Sequence, residues 1–187
     1  MASTDAIALL GDTLMTLLQN GLTGLVLPAN VTLSTPDDFK SFSPLQPAVT
    51  VFLYQVGIAG ELRNGARRGG PGGLALQPPL PLEVRFLITP WTQLTRDAYR
   101  IIGAVALHLY ENAVLDFSQL SGPGWAPEDT VELILESLPV EEHYGIWEPT
   151  DIPYRLSLTY LAKIVGIDPT RTGSAAPVVV ADFARVP

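Results

Sequence analysis

Apolar residues recur every three or four positions from Ile7 through Leu10, Leu14, Leu17 and Leu18. That is the spacing of a helix with one buried side. Thr4-Asp5 supplies a cap and Gly21 a stop, so the pattern predicts a helix over residues 5–20. An apolar, turn-rich link over 22–28 leads to a short strand at 31–34, ended by Pro36-Asp37-Asp38. From Ala48 to Val56 the period changes to two: Val49, Val51 and Leu53 face one way, Phe52, Tyr54 and Val56 the other. Apolar residues on both sides predict a central strand covered on both faces. A long Gly/Pro/Arg segment follows and returns through Pro78-Pro79-Leu80-Pro81 into a second strand over 82–89. There Leu82, Val84, Phe86 and Ile88 share one face, and Glu83 and Arg85 the other. Pro81 has no N–H to donate, so pairing is expected to begin only at Leu82 or later.

A second helix is predicted over 95–112, with Thr95 as N-cap and Asp97 in the first turn, where the helix dipole favours an acid. Ala98, Ile102, Val105 and Leu109 form a stripe that Ile101, Ala104 and Leu107 widen, so its middle is expected to be buried nearly all round. Gly103 is expected to bring that helix close to a sheet. Residues 118–127 read as a loop, 131–137 as an alternating strand, 141–147 as one helical turn closed by Pro149, and 154–165 as a long strand. The remainder, 168–187, is rich in Pro, Gly and Ala but carries Val178-Val179-Val180 and Phe183. Strands grouped around a central helix predict an α+β fold. The sheet is expected to be mixed or mostly antiparallel, with about four to six strands packed against two main helices.

Composition narrows the function more than the fold. The chain has 187 residues, a prior for one domain. Its net charge of −8 argues against a nucleic-acid partner, which selects for a cationic surface. It contains no cysteine, which excludes disulfides, thiolate catalysis and Cys-based metal sites. Met-Ala-Ser-Thr-Asp lacks the basic start of a secretory signal, and no apolar run reaches the roughly 20 residues of a membrane span. Synthesis and assembly in the cytoplasm are expected.

No catalytic constellation stands out. Of the two histidines, His108 lies among apolar residues of the second helix and reads as a packed core residue. Glu141, Glu142 and His143 are ligand-type side chains, but adjacent residues on one helical turn point in different directions. Gly69-Gly70-Pro71-Gly72-Gly73 lacks the Lys-Ser/Thr of a P-loop and opens no helix, so it reads as a flexible loop. No metal and no cofactor are expected. Two charge features remain. Arg63, Arg67 and Arg68 sit in the long loop, while the acids between Trp125 and Asp151 are accompanied by no Lys or Arg. They read either as two solvated surfaces or as opposed patches that meet across a protein interface, where arginine is favoured for its planar fork.

Several segments, taken in order, resemble a known family. They are Phe52-Leu53-Tyr54, Leu62-Arg63-Asn64, Pro78-Pro79-Leu80-x-Leu82, Phe86-Leu87-Ile88-Thr89, Ile146-Trp147, Tyr154-Arg155-Leu156-Ser157-Leu158-Thr159-Tyr160 and Val165-Gly166-Ile167. The set resembles the N-terminal domain family of cap, or tail-terminator, proteins of phage-tail-like contractile injection systems. The likeness extends over roughly residues 5 to 167, and Pro81 departs from it. The resemblance implies a tail-terminator-like fold and a structural, non-enzymatic protein. It also implies a six-fold ring on the distal end of the inner tube that ends tube growth and holds the end of the sheath. The implied partners are the tube protein, the sheath protein and further copies of the chain.

On this reading residues 1–167 form the cap domain, and 168–187 a tail that is a candidate strand-exchange arm. The candidate protein-binding residues are Arg63, Asn64, Arg67 and Arg68 in the loop, Glu141 and Glu142 in the acidic segment, and Val178, Val179, Val180 and Phe183 in the tail. The loop is expected to meet tube, sheath or a neighbouring subunit. The particle is either retained or released. Two alternatives stand beside it: another ring or baseplate adaptor of the same particle, and a small-molecule-binding domain using Glu141, Glu142 and His143.

Overall fold

The computed structural model describes residues 4–24, 29–43, 46–60, 68–69, 75–76 and 79–167. The first helix, α1 (Ala6–Leu22), buries Ala6, Leu10, Leu14, Leu18 and Leu22 along one side. It does not stop at Gly21. A Cβ at that position would lie 2.4 Å from ring atoms of His108, so the glycine serves helix–helix approach within α1 rather than its termination. His108 accordingly packs at the contact between the first and third helices, half-buried, with Nε2 buried and without a hydrogen-bond partner.

Strand β1 (Asn30–Leu33) is followed by a short helix, α2 (Pro36–Ser41), where the sequence predicted only the end of a strand. Its start is specified locally. Pro36 sits in the first turn, and the Asp38 carboxylate accepts hydrogen bonds from Thr35 N at 2.7 Å and Thr35 Oγ1 at 2.8 Å. These bonds hold the Asp38 carboxyl below its ordinary pKa.

After strand β2 (Ala48–Ile58) come β3 (Arg68–Gly69) and β4 (Ala75–Leu76), which pair antiparallel. Gly69 therefore belongs to a strand pair, not to a featureless loop. Then come β5 (Leu80–Trp91), α3 (Thr95–Glu111), β6 (Val114–Leu115), β7 (Val131–Glu136), α4 (Val140–Trp147) with a 3₁₀ turn over Glu148–Thr150, and β8 (Leu158–Ile167). The main sheet has six strands in the order β1-β2-β5-β8-β7-β6. Only β1 and β2 run parallel; the other neighbours are antiparallel. The expected α+β class and mixed sheet hold.

Three boundaries differ for physical reasons. β5 begins at Leu80 because Pro81 pairs with Gly166 on the β8 side, while pairing to β2 does begin at Leu82. Pro81 still accepts a hydrogen bond from Ala59 N at 3.0 Å through its carbonyl. β8 begins at Leu158, not Tyr154, because the residues before it turn aside to pack on α4 and on Trp91. The helix α3 starts with Thr95 inside it and Leu94 at the cap position. It is buried on one side only, through Ile101, Val105 and Leu109, and Gly103 is exposed with no atom within 4 Å of its missing Cβ.

Alternation along β5 divides the interior in two. Val84, Phe86 and Ile88 join α1, α3, Val49 and Val51 in an aliphatic core. Leu87 and Trp91, on the other face, join Phe39, Ala48 and Trp147. The central strands β2 and β5 are thus covered on both faces, as the pattern around Val49 and Phe52 predicted.

Candidate interaction site

The second face is built from rings. Phe39 of α2 stacks against Trp147 of α4 with centroids 5.7 Å apart and meets Phe52 edge-on at 5.7 Å. Phe42 packs edge-on to Trp91 at 4.9 Å. Trp91 Nε1 donates to Thr50 Oγ1 at 2.9 Å, so its polar atom is satisfied inside the sheet. The Arg155 guanidinium lies 4.3 Å from the centre of the Trp91 ring, a cation–π contact that closes this face at one end.

α4 is anchored by Trp147, which is 2% exposed. Its Nε1 donates to Ser157 Oγ at 3.3 Å, and His143 Nε2 lies 2.9 Å from the same hydroxyl. Ser157 Oγ in turn donates to the Arg155 carbonyl at 3.2 Å. Burial pushes the His143 pKa down. With Trp147 and His143 pointing inward, helical geometry turns Glu141, Tyr144, Gly145 and Glu148 outward. Tyr144 stacks on Tyr154 with centroids 4.4 Å apart and ring planes inclined by 29°. Burial, and then the neighbouring Tyr144, raise the Tyr154 pKa. The result is an open hollow of about 450 Å³ walled by Glu141, Tyr144, Trp147, Glu148, Ile152 and Tyr154. Two carboxylates beside stacked phenol rings are chemistry that suits a cationic side chain, arginine best, because a guanidinium binds carboxylate and ring faces alike.

A second hollow, of about 440 Å³, lies on the other side of α4, where Glu142 faces Tyr54, Gln55, Arg85 and Glu136. Here Arg85 bridges Glu136 at 3.2 Å and Glu83 at 3.4 Å. Tyr54 is the extra residue of a β-bulge between Leu53 and Gln55, and its hydroxyl is buried without a partner. Burial, and then the nearby Glu136 charge, push its pKa up to about 12.

The predicted site residues separate accordingly. Glu141 and Glu142 are both exposed, but they line different hollows, while His143 bonds inward to Ser157. Neither of these two hollows gathers the three, because successive helical residues diverge by about 100°. No group of three or more His, Asp or Glu among the described residues is placed to hold a metal ion. Arg68 lies on β3, opposite Leu76. Arg63, Asn64 and Arg67, and Val178, Val179, Val180 and Phe183, lie outside the described residues. Sequence reasoning missed Tyr144, Glu148 and Tyr154 as one wall. The only signal was their nearness to Trp147, and the placement of Tyr154 within a strand obscured it.

The sequence profile described as the Pvc16 N-terminal domain matches residues 10–181, so the chain belongs to that family. The family resemblance read from the strand pair and closing strand is therefore borne out. No curated protein matches the chain. Among the solved structures that share its fold are two terminators. One is the sheath/tube terminator, in the extended state, of an extracellular contractile injection system, PVC: 18% identity, TM-score 0.67, covering 97% of this chain and 63% of that one. The other is the tube-terminating cap of the anti-feeding prophage: 19% identity, TM-score 0.58, covering 89% of this chain and 58% of that one. The chain thus spans about three fifths of the length of these two structures. Both neighbours are described as terminators of a tube, and at 18% and 19% identity their likeness to this chain is one of fold.

Proposed function

From membership of the Pvc16 N-terminal domain family, we propose that this chain caps the inner tube of a contractile injection particle. The observation that carries the reading is that nearly the whole chain, not one motif, shares the fold of a sheath/tube terminator. Copies of the chain assemble as a six-fold ring on the distal end of the tube and hold the end of the sheath. One side of the ring matches the tube. The other offers the next tube ring nothing complementary, so growth ends there. The chain is made and assembled in the cytoplasm, and the particle is then retained or released.

Within this reading residues 1–167 are the capping domain and 168–187 an arm. Arg63, Asn64, Arg67 and Arg68 contact tube, sheath or a neighbouring subunit, and Glu141 and Glu142 belong to the surface between subunits. Val178, Val179, Val180 and Phe183 add a strand to a neighbour by main-chain pairing. One feature of the sheet supports that last step. β6 pairs only with Val131 and Glu132, so Ile134 to Glu136 of β7 present an edge that no described strand covers.

The test is negative-stain imaging of particles from cells with and without the gene. Overlong tubes, or sheaths contracted and uncapped, are expected without it. Tubes of normal length with intact ends would reject the capping role. Replacing Arg63, Arg67 and Arg68 with Glu is expected to leave the fold intact and to weaken cap attachment. Attachment at wild-type level would remove the loop from the interface.

A further inference from the structure

α3 buries Ile101, Val105 and Leu109 and turns its opposite side to solvent. At about 100° per residue, Arg96, Tyr99, Arg100, Gly103, Leu107 and Tyr110 fall together on that opposite side. Tyr99 is 62%, Leu107 58% and Tyr110 79% exposed. Gly103 lies between them and costs the helix about 1 kcal/mol relative to alanine. Among the described residues, no atom lies within 4 Å of where its Cβ would be. A solvated helix has no use for three large apolar side chains flanking a glycine. A helix that another surface approaches closely has use for both.

The chain carries a surface of complementary chemistry on α4. Val140 and Tyr144 are exposed there, and Glu141 and Glu148 flank the hollow walled by Tyr144 and Tyr154. The two surfaces belong to elements on opposite faces of the sheet, since α3 packs on the core of Phe86 and Ile88 and α4 on that of Leu87. One is cationic and convex; the other is anionic and concave. Two different, matching patches on one chain make a head-to-tail contact, which closes into a ring, rather than the self-matching contact of a two-fold dimer.

We propose that the outer side of α3 in one copy seats on the α4 hollow of the next. Arg96 and Arg100 lie between Glu141 and Glu148, and Tyr99 rests against Tyr144 and Tyr154. The proposal rests on the capping reading and names the contact between its subunits. The Arg155–Trp91 pair at 4.3 Å shows the same guanidinium-on-ring geometry already used inside this fold. Arg100 also pairs with Asp97 at 3.4 Å while its side chain is 57% exposed. A surface pair of that kind is worth little and yields to a better-shielded partner.

The chain has no cysteine, so introduced thiols report without background. In capped particles carrying Arg96→Cys and Glu148→Cys together, a short bis-maleimide cross-linker is expected to give a ladder of multimers. Either substitution alone is expected to leave monomers. A dimer from Arg96→Cys alone would mean an α3–α3 contact and would overturn the proposal. So would the absence of a ladder in particles that imaging shows to carry the chain as a terminal ring, and that outcome leaves the capping role standing. If the chain is not at particle ends, both fail. A second arm needs no thiols. Arg96→Glu with Arg100→Glu is expected to lower cap occupancy about tenfold, and adding Glu141→Arg with Glu148→Arg to the same chain restores it. Undiminished occupancy, or loss without restoration, would overturn the contact.

Discussion

On one face of the sheet, Leu10, Leu14 and Leu18 of α1 and Ile101, Val105 and Leu109 of α3 close an aliphatic core with Val84, Phe86 and Ile88. On the other, two short helices and an irregular segment bring together Phe39, Phe42, Phe52, Trp91 and Trp147, and the cover is incomplete. The first face is sealed by helices of 17 residues each. The second leaves hollows on both sides of α4, each with carboxylates at its rim. Long helices remove apolar area from water efficiently and leave little shape for recognition. Short ones, anchored by single large rings, leave concave surface with fixed walls. The aliphatic face therefore supplies most of the stability, and the aromatic face supplies the place where a partner seats.

The sharpest way to break that comparison is to truncate one large residue on each face. Phe86→Ala and Trp147→Ala each remove a fully buried ring and are expected to cost about 3–5 kcal/mol. Urea unfolding followed by circular dichroism measures both. Phe86→Ala is expected to leave subunit contact intact in the molecules that remain folded, whereas Trp147→Ala releases α4 and abolishes the contact. Equal loss of contact in both variants would erase the distinction between the faces.

A smaller effect compares two glycines within the aliphatic layer itself. Gly21→Ala forces a methyl group into the His108 ring and is expected to destabilise by about 1–3 kcal/mol. Gly103→Ala meets nothing and is expected to stabilise the isolated chain by about 0.5–1 kcal/mol. Thermal unfolding of the two variants should move in opposite directions. A stabilised Gly21→Ala would show that α1 and α3 are not in the close contact described.

The smallest expected effect belongs to the aromatic face. Burial depresses the His143 pKa in the folded chain. The neutral ring is thus favoured by folding, and its contribution is fully present above the ordinary histidine range. It is lost as pH falls from about 6.5 toward the folded value, because the unfolded chain takes up the proton first. The thermal midpoint is expected to drop between about pH 7.5 and about pH 5.5, and to drop less in His143→Gln. An identical drop in both would assign the pH dependence to other groups.

Local pattern determined much of this protein. The two-sided alternation of Val49 to Val56 announced a central strand, the heptad-like leucines announced α1, and the ordered segments from Phe52 to Ile167 announced the family. These were legible because burial on a regular element imposes its period on the sequence itself. What the period cannot carry is which neighbour lies across a gap. Gly21 reads as a helix stop until His108 is seen against it. Apolar residues all round α3 read as burial on every side, although Tyr99, Leu107 and Tyr110 on one side are exposed. Tyr154 reads as the start of a strand, but its ring stacks on Tyr144 of α4. In each case the deciding contact joins residues far apart in sequence, and only the tertiary structure brings them together. The same holds for the site: the acids of α4 were visible one by one, but which of them share a hollow was settled by the inward turn of Trp147 and His143.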